Sequence, residues 1–531
     1  MRTYFLPKWR PLFLSAALLL GGTGLPGLSG LATARGQVMA QRNWAGSGVS
    51  VEPWWRRGVF YRIDPETFQD SDGDGKGDLA GVGQRLDYLQ GLGVDALIVT
   101  GLSPSATGFD DLARAAVGSH LRVIVEMGAP ASQSDDANYL AAARGWLNQG
   151  AAGIYIPTGE LQKVDGAGHI ALLLHQLRVL TDSFPGGRVL LADAPATADQ
   201  DVIRALSKET QLTASAAMGR AAGGGVTAAG LRAQLMAALG AAGTSAEVVP
   251  AAASTPAASA PTRRGRRGQS HPRTAAVSNP LLVAVRVPAE MEAAKKAGLE
   301  RTLAVMLLAS RGAVLLEYGL ELGLDAAGTD GPLMQWTPGN VTRKPEPAPK
   351  PVAPKPVDTG KGYEGFQAYI PPLRKDLFPP PPMPVVVESD EIVPVAVDPN
   401  TLPGFTAGTL DAARAAANGA TANVAVEQAD PKSLLQLYKQ LIELHHDNAT
   451  VRQGAETVMD FDALGAVVWM RRAPADSRTS ANVVVGCNLS DKPVELGDVA
   501  GRRGLRSLLS PEPVGDLLTV APGAVMVGEV R

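Results

Sequence analysis

Short apolar runs alternate with amphipathic stretches along roughly the first 330 residues of the chain. Runs typical of buried parallel strands begin at Val59, Ala96, Leu121, Gly153 and Val189, with a fainter run over 211–214 and two more over 281–287 and 313–318. Leu79, Val82, Leu86 and Leu89 recur at three- and four-residue steps, which predicts a helix with one apolar face. This alternation predicts a parallel sheet covered by helices.

Eight such strand–helix units predict an α/β fold of the (β/α)8 TIM-barrel class over residues 51 to about 330. Farther along, we expect Asp430 to cap a last barrel helix with Pro431 at its first position. The apolar face of that helix is Leu434, Leu435, Tyr438, Leu441 and Ile442. Alternating runs over 466–471, 482–489 and 518–530 indicate β-strands after the barrel.

Two segments have the composition of linkers rather than of a packed core. Residues 246–279 are rich in Ala, Ser, Thr and Pro, and residues 344–400 contain Pro-Lys repeats and a run of four prolines, so both are expected to be extended or disordered. The predicted domains are a signal peptide over 1–40, a barrel over 41–340 and 402–454 with the 246–279 insert, the proline-rich segment, and a C-terminal β domain over 455–531.

The first forty residues have the pattern of an export signal. Basic residues precede an apolar run over 12–20, and small residues follow it. The apolar run is shorter than the roughly 20 residues of a membrane span, so we expect cleavage and a periplasmic or secreted mature protein; an uncleaved anchor is the alternative. The net charge of −3 argues against nucleic acid as the main partner, and the single Cys487 excludes an internal disulfide.

The segment from Asp70 to Asp78 places carboxylates at alternate positions between glycines. Calcium binds six to eight oxygens, so a structural Ca²⁺ is predicted, with ligands from the side chains of Asp70, Asp72, Asp74 and Asp78 and the carbonyl of Lys76. An EF-hand is excluded because position twelve of the loop is Gly81 instead of glutamate. A solvated Asp/Gly turn without a metal is the alternative.

The residues around this loop resemble the α-amylase family, glycoside hydrolase family 13, and most closely its oligo-1,6-glucosidase and α-glucosidase branch. The resemblance rests on Trp54-Trp55, Val59 to Phe68, the Asp/Gly loop, Leu86-Asp87-Tyr88-Leu89 and Leu92 to Ala96, and it resumes at Asp430 to Leu435 and Asn488 to Leu496. It implies a TIM barrel followed by an antiparallel C-terminal β-sandwich. It also implies a structural calcium in the loop after the first strand.

The family's catalytic positions are altered in this chain. By the resemblance, Tyr155 replaces the fourth-strand arginine, Pro157 replaces the nucleophile, and Asp193 occupies the acid/base position. Glu126 ends the third strand, but Pro130 and Ala131 stand where the family has Asn and His. Val285-Arg286-Val287-Pro288 replaces the Asn-His-Asp of the seventh strand.

These substitutions favour an exported, catalytically degenerate protein of carbohydrate metabolism that binds a carbohydrate (an α-glucan or oligosaccharide) or a protein partner. Two alternatives remain. One is an active α-glucoside hydrolase that uses relocated carboxylates, Asp193 with Glu126 or Glu160; the other is a structural component of the cell envelope.

Overall fold

The computed structural model describes residues 53–104, 106–130, 132–157, 159–164, 166–193, 200–214, 217–219, 226–241, 247–250, 281–287, 291–324, 332–337, 404–406, 422–474, 481–497, 499, 504–510 and 518–530. The predicted signal peptide and the proline-rich segment 344–400 lie outside these residues, as does all of the 246–279 insert except 247–250. No helix among the described residues is long and apolar enough to cross a membrane.

The core of the structure is a parallel barrel. Its strands are β1 (Val59–Ile63), β2 (Ala96–Val99), β3 (Arg122–Glu126), β4 (Gly153–Ile156), β5 (Val189–Asp193), β6 (Leu212–Ala214), β7 (Ala217–Met218), β9 (Leu281–Ala284) and β10 (Ala313–Glu317). They hydrogen-bond in the order β6-β5-β4-β3-β2-β1-β10-β9-β7. The first and last units of the barrel are thereby adjacent, and the predicted TIM-barrel class is confirmed.

The sixth strand of the barrel is divided into two short pieces. Strand β6 pairs with β5, whereas β7, which is separated from β6 by only two residues, pairs with β9. The two pieces together occupy one strand position, which explains why the sequence signal there is faint. The seventh strand, β9, ends at Ala284 and is shorter than the predicted 281–287.

Helices surround the barrel and follow its strands. The helices are α1 (Pro65–Phe68), α2 (Leu79–Gln84), α3 (Leu86–Leu92), α4 (Phe109–Gly118), α5 (Asp136–Asn148), α6 (Ala167–Asp182), α7 (Gln200–Glu209), α8 (Ala228–Ala241), α9 (Ala293–Leu308), α10 (Val424–Ala429), α11 (Leu434–Asp447) and α12 (Ala449–Gln453). The single helix predicted from Leu79 to Leu89 is interrupted at Arg85, whose side chain donates to Gln69 Oε1 at 2.7 Å and lies over the Trp336 ring at 4.2 Å.

The predicted cap of the last barrel helix was wrong. Helix α11 begins at Leu434, and its N-cap is Ser433, whose hydroxyl accepts a hydrogen bond from Gln436 N at 3.1 Å. Asp430 instead ends α10, and its carboxylate accepts from Lys432 N at 2.9 Å. Ser433 is correctly placed because an N-cap side chain bonds an amide two or three residues ahead. The predicted apolar face is buried against the barrel.

The C-terminal residues form the predicted antiparallel domain. Its strands are β11 (Ala455–Asp460), β12 (Ala466–Arg472), β13 (Val483–Asn488), β14 (Val494–Glu495), β15 (Leu505–Ser507), β16 (Thr519–Val520) and β17 (Val525–Val530). The run predicted as one strand over 518–530 is divided into β16 and β17 by a turn. A two-stranded ribbon, β14-β16, packs against the larger sheet. Strand β8 (Glu247–Pro250), which precedes the last two barrel units, joins that sheet in parallel with β11.

Candidate functional site

Charged side chains occupy inward positions at the carboxyl ends of several barrel strands. Inside the barrel, apolar residues such as Phe60, Ile124, Leu191 and Leu315 form a continuous core. Because strand side chains alternate between the two faces, the next inward positions are those two residues later. Those positions are Arg62 on β1, Glu126 on β3, Asp193 on β5 and Glu317 on β10. Active sites of TIM barrels lie at this face.

Arg62 binds two of these carboxylates at once. Its Nε and Nη2 donate to Glu126 at 2.5 and 2.7 Å, and its Nη1 donates to Glu317 Oε1 at 3.1 Å. Burial alone would lower the pKa of Arg62, but these hydrogen bonds and charges raise it above its ordinary value. Burial raises the pKa of Glu126, and Arg62 opposes that shift. One guanidinium therefore ties the first, third and eighth strands together.

Asp193, at the predicted acid/base position, is bound by Tyr155, which the resemblance aligns with the family's fourth-strand arginine. The Tyr155 hydroxyl donates to Asp193 Oδ1 at 2.9 Å, and both side chains are buried. Burial and the charge of Asp193 raise the pKa of Tyr155 well above its ordinary value, so the phenol remains a proton donor at neutral pH. Tyr155 packs with the inner core, as expected for an inward position of β4.

Two other sequence-predicted positions lie beyond the strand ends. Pro157 follows β4 directly, is half-buried and has no side-chain oxygen. Glu160 faces the loop after β3, where its Oε2 accepts from Ala129 N at 3.0 Å and its Oε1 lies 2.5 Å from Lys163 Nζ. Partial burial would raise the pKa of Glu160, but these contacts lower it. Glu160 is therefore held as a carboxylate and is poorly suited to donate a proton.

Sequence reasoning missed Arg62 and Glu317. The available signal was the presence of a charge at an inward position of an otherwise apolar strand, since Arg62 follows Phe60 by two residues and Glu317 follows Leu315 by two. It also missed Glu321, a fully buried carboxyl that accepts the hydroxyls of Tyr61 and Tyr88, each at 2.6 Å. Burial raises the pKa of Glu321 against the effect of the two tyrosines, and this cluster joins the outside of β1 to α3.

Arg286, in the segment that replaces the family's Asn-His-Asp by the resemblance, and His446, at the end of α11, are both bonded elsewhere. After β9, the guanidinium of Arg286 donates to the carbonyl oxygens of Tyr318 and Leu324. His446 binds Asp95 at 3.0 Å, and Asp95 directly precedes β2, so this pair lies at the amino ends of the strands, opposite Glu126 and Asp193.

The Asp/Gly loop connects α1 to α2 and brings three of its carboxylates together. Carboxylate oxygens of Asp70, Asp72 and Asp78 all lie within 4.8 Å of one another. Asp74 is not part of this group, and its Oδ1 instead accepts from Lys76 N at 2.7 Å. Three converging carboxylates suit a hard cation such as Ca²⁺, with backbone oxygens and water completing the coordination. The donor set therefore fits the predicted metal without Asp74.

The carboxylate of Asp70 is held in place by several hydrogen bonds. Its carboxylate accepts from the amides of Gly73 at 2.7 Å and Gly75 at 2.8 Å and from the hydroxyl of Thr406. Burial would raise the pKa of Asp70, but these hydrogen bonds lower it. Gly73 and Gly75 have φ of 85° and 89°, which only glycine adopts without strain, so the turn depends on both.

Chelation is expected to lower the melting temperature of the protein if this loop binds calcium. A ligand that binds only the folded state at a hundredfold excess over its Kd contributes about 2.7 kcal/mol, equivalent to a shift on the order of 5 °C. The measurement is thermal unfolding with EDTA and with excess calcium. Asp72→Asn should remove the response and Asp74→Asn should retain it; identical melting curves in EDTA and in calcium would contradict the site.

Comparison with known proteins locates the strongest sequence similarity in the first barrel unit. Residues 62–110 match the profile of the α-amylase catalytic domain. The chain is 60% identical over 47 residues to the trehalose-6-phosphate hydrolase of Escherichia coli K12 and 50% identical over 52 residues to a probable oligo-1,6-glucosidase 2 of Bacillus subtilis 168. These stretches cover 9% and 10% of this chain but only 8% and 9% of the relatives.

Structural similarity extends over almost the whole fold. The chain superposes on an α-glucosyl transfer enzyme, XgtA, with a TM-score of 0.55 at 18% identity, covering 90% of this chain and all of that one. It superposes on the trehalose-6-phosphate hydrolase of Bacillus licheniformis with a TM-score of 0.55 at 14% identity, covering 90% of this chain and 99% of that one. Residues 62–110 are therefore similar to the first part of the α-amylase catalytic domain, and the described chain shares the (β/α)8 fold of these structures.

Proposed function

We propose that this chain is an exported, non-catalytic member of the α-amylase family that binds a carbohydrate or a protein partner. The observation that carries the proposal is the engagement of both surviving carboxylates by neighbouring side chains, Glu126 by Arg62 and Asp193 by Tyr155. A retaining glycosidase needs a nucleophile and an acid/base about 5 to 5.5 Å apart. Pro157 cannot supply the nucleophile.

Export is supported by the basic, apolar and small-residue pattern of residues 1–40. A structural calcium is supported by the convergence of Asp70, Asp72 and Asp78. The Asp/Gly loop contacts Phe405, Thr406 and the start of α2, so a calcium ion bound there would stabilise the fold whether or not the barrel is catalytic.

The second candidate is an active α-glucoside hydrolase that uses Asp193 and Glu126. One observation favours it: burial raises the pKa of Glu126, and a raised pKa suits a carboxyl that donates a proton near neutral pH. For Glu126 to act, Arg62 would have to release it during the reaction.

Turnover of a nitrophenyl α-glucoside by the mature protein separates the two candidates. We expect the rate to match that of buffer and to be unaffected by Asp193→Asn or Glu126→Gln, because loss of the nucleophile removes most of an enzyme's rate enhancement, commonly a million-fold or more. A clear rate that either substitution abolishes would support the second candidate. Binding to a glycan array, measured on the same preparation, tests carbohydrate recognition independently of turnover.

A further inference from the structure

Two arginines lie side by side at the amino-terminal face of the barrel, opposite Glu126 and Asp193. Arg57 precedes β1 and Arg311 precedes β10. These strands are neighbours with Val59 opposite Val314, and Val314 N donates to Gly58 O at 3.0 Å. Arg57, at the end of a 3-10 turn, and Arg311 therefore lie just before the same end of this strand pair.

A third arginine reaches the same place from the last helices. Arg452, on α12, donates from Nη1 to the carbonyl oxygen of His446 at 3.1 Å. His446 lies 3.0 Å from Asp95 Oδ2, and that oxygen also accepts from Val59 N at 2.8 Å. These successive contacts, from Arg452 through His446 and Asp95 to Val59, hold Arg452 beside the start of β1.

The charges of Arg311 and Arg452 both act on Arg57. The pKa of Arg57 is lowered to about 10, first by burial and then by the charges of Arg452 and Arg311. Two carboxylates of this region are engaged by other residues: Asp95 binds His446, and Glu456 binds Arg471 at 2.5 Å. Among the described residues, neither Arg311 nor Arg452 forms an ion pair, and Nε of Arg452 is buried without a hydrogen-bond partner.

We propose that Arg57, Arg311 and Arg452 form a binding site for a phosphate- or sulfate-type oxyanion at the amino-terminal face of the barrel. Guanidinium groups present planar, paired N–H donors that match the oxygens of such an anion, and a bound anion would offset the repulsion that Arg311 and Arg452 exert on Arg57. Arg311 is exposed and the other two are half-buried, so an anion can reach them from solvent. The site lies at the opposite end of the barrel from the family's catalytic positions and goes beyond the proposed function.

The test is thermal unfolding of the full chain in sodium phosphate and in sodium chloride of equal ionic strength. We expect phosphate to raise the melting temperature by about 3 °C relative to chloride, and Arg57→Gln/Arg311→Gln to bind at least about tenfold more weakly and to lose this shift. Arg311→Gln alone should also reduce the phosphate shift. Because Arg311 is exposed, this single variant should fold normally and keeps the test interpretable if the double variant misfolds. The matched control is Arg114→Gln/Arg506→Gln, which removes two exposed arginines from α4 and β15 and should keep the full shift.

Vesicle sedimentation distinguishes the sources of the anion. Binding to phosphatidylglycerol vesicles but not to phosphatidylcholine vesicles, lost in the double variant, would assign the site to a lipid headgroup. A phosphate shift without vesicle binding would assign it to a free or small-molecule phosphate. Equal melting in phosphate and chloride without vesicle binding, or an equal phosphate shift in wild type and both arginine variants, would overturn the proposal.

Discussion

Replacing Arg471 by methionine is expected to lower the free energy of unfolding by about 3–5 kcal/mol. Arg471 and Glu456 form an ion pair 2.5 Å long, and their side chains are 0% and 1% exposed. Burial lowers the pKa of Arg471 and raises that of Glu456, so each charge depends on the other. Removing the guanidinium leaves a buried carboxylate whose main counter-charge is gone.

Urea unfolding of a matched pair of variants measures this effect. Arg471→Met/Glu456→Met should recover most of the loss, since replacing a whole buried ion pair by apolar side chains is often nearly neutral. Arg506→Met, which removes an exposed arginine paired with Glu529, should cost no more than about 1 kcal/mol. If the double variant proved as unstable as the single one, the loss would lie in packing or in the bond from Arg471 to the Val451 carbonyl.

The second large effect is expected at Arg62. Arg62→Met should lower the free energy of unfolding at neutral pH by about 2 kcal/mol, less than at Arg471 because Arg62 and Glu126 are 28% and 13% exposed. Glu126 and Glu317 would then lose the cation that binds both. Arg114→Met, which breaks only exposed helix pairs, should change stability by no more than about 1 kcal/mol.

The deficit of Arg62→Met should depend on pH. Burial holds the pKa of Glu126 above its ordinary value of 4.5, and loss of Arg62 raises it further. A carboxyl with a raised folded-state pKa stabilises the fold fully below its unfolded value and loses that contribution as the pH rises through its folded value. The deficit is therefore expected to be small near about pH 4 and to grow toward about pH 7, as measured by urea unfolding at several pH values. A deficit of constant size would argue that Arg62 stabilises the barrel by packing alone.

The barrel could be predicted from sequence because its strands are apolar on both faces. Strands β1 to β5 and β10 carry continuous apolar runs, and a short run of that kind is a local property of the chain. The broken sixth strand and the start of α11 were less predictable. The sixth strand is decided by a partner distant in sequence, because β7 pairs with β9. The start of α11 is decided locally, because Asp430 ends α10 and Ser433 then caps the next helix.

The candidate sites were predictable in part. The resemblance singled out Glu126, Tyr155, Pro157 and Asp193 because each lies in a recognisable strand or directly after one, and the Asp/Gly spacing indicated the metal loop. Asp70, Asp72 and Asp78 converge, whereas the carboxylate of Asp74 lies outside this group; the set of calcium ligands stays a prediction.

The sequence by itself determined the class of fold and the similarity of residues 62–110 to the α-amylase catalytic domain, since both depend on local patterns. Only the tertiary structure decided which charged side chains inside the barrel bind one another. Arg62 lies 64 residues from Glu126 and 255 from Glu317, and these three meet because barrel closure places β10 beside β1 and brings β3 within reach. No local pattern encodes that meeting, because it depends on strand order, register and the inward direction of each side chain.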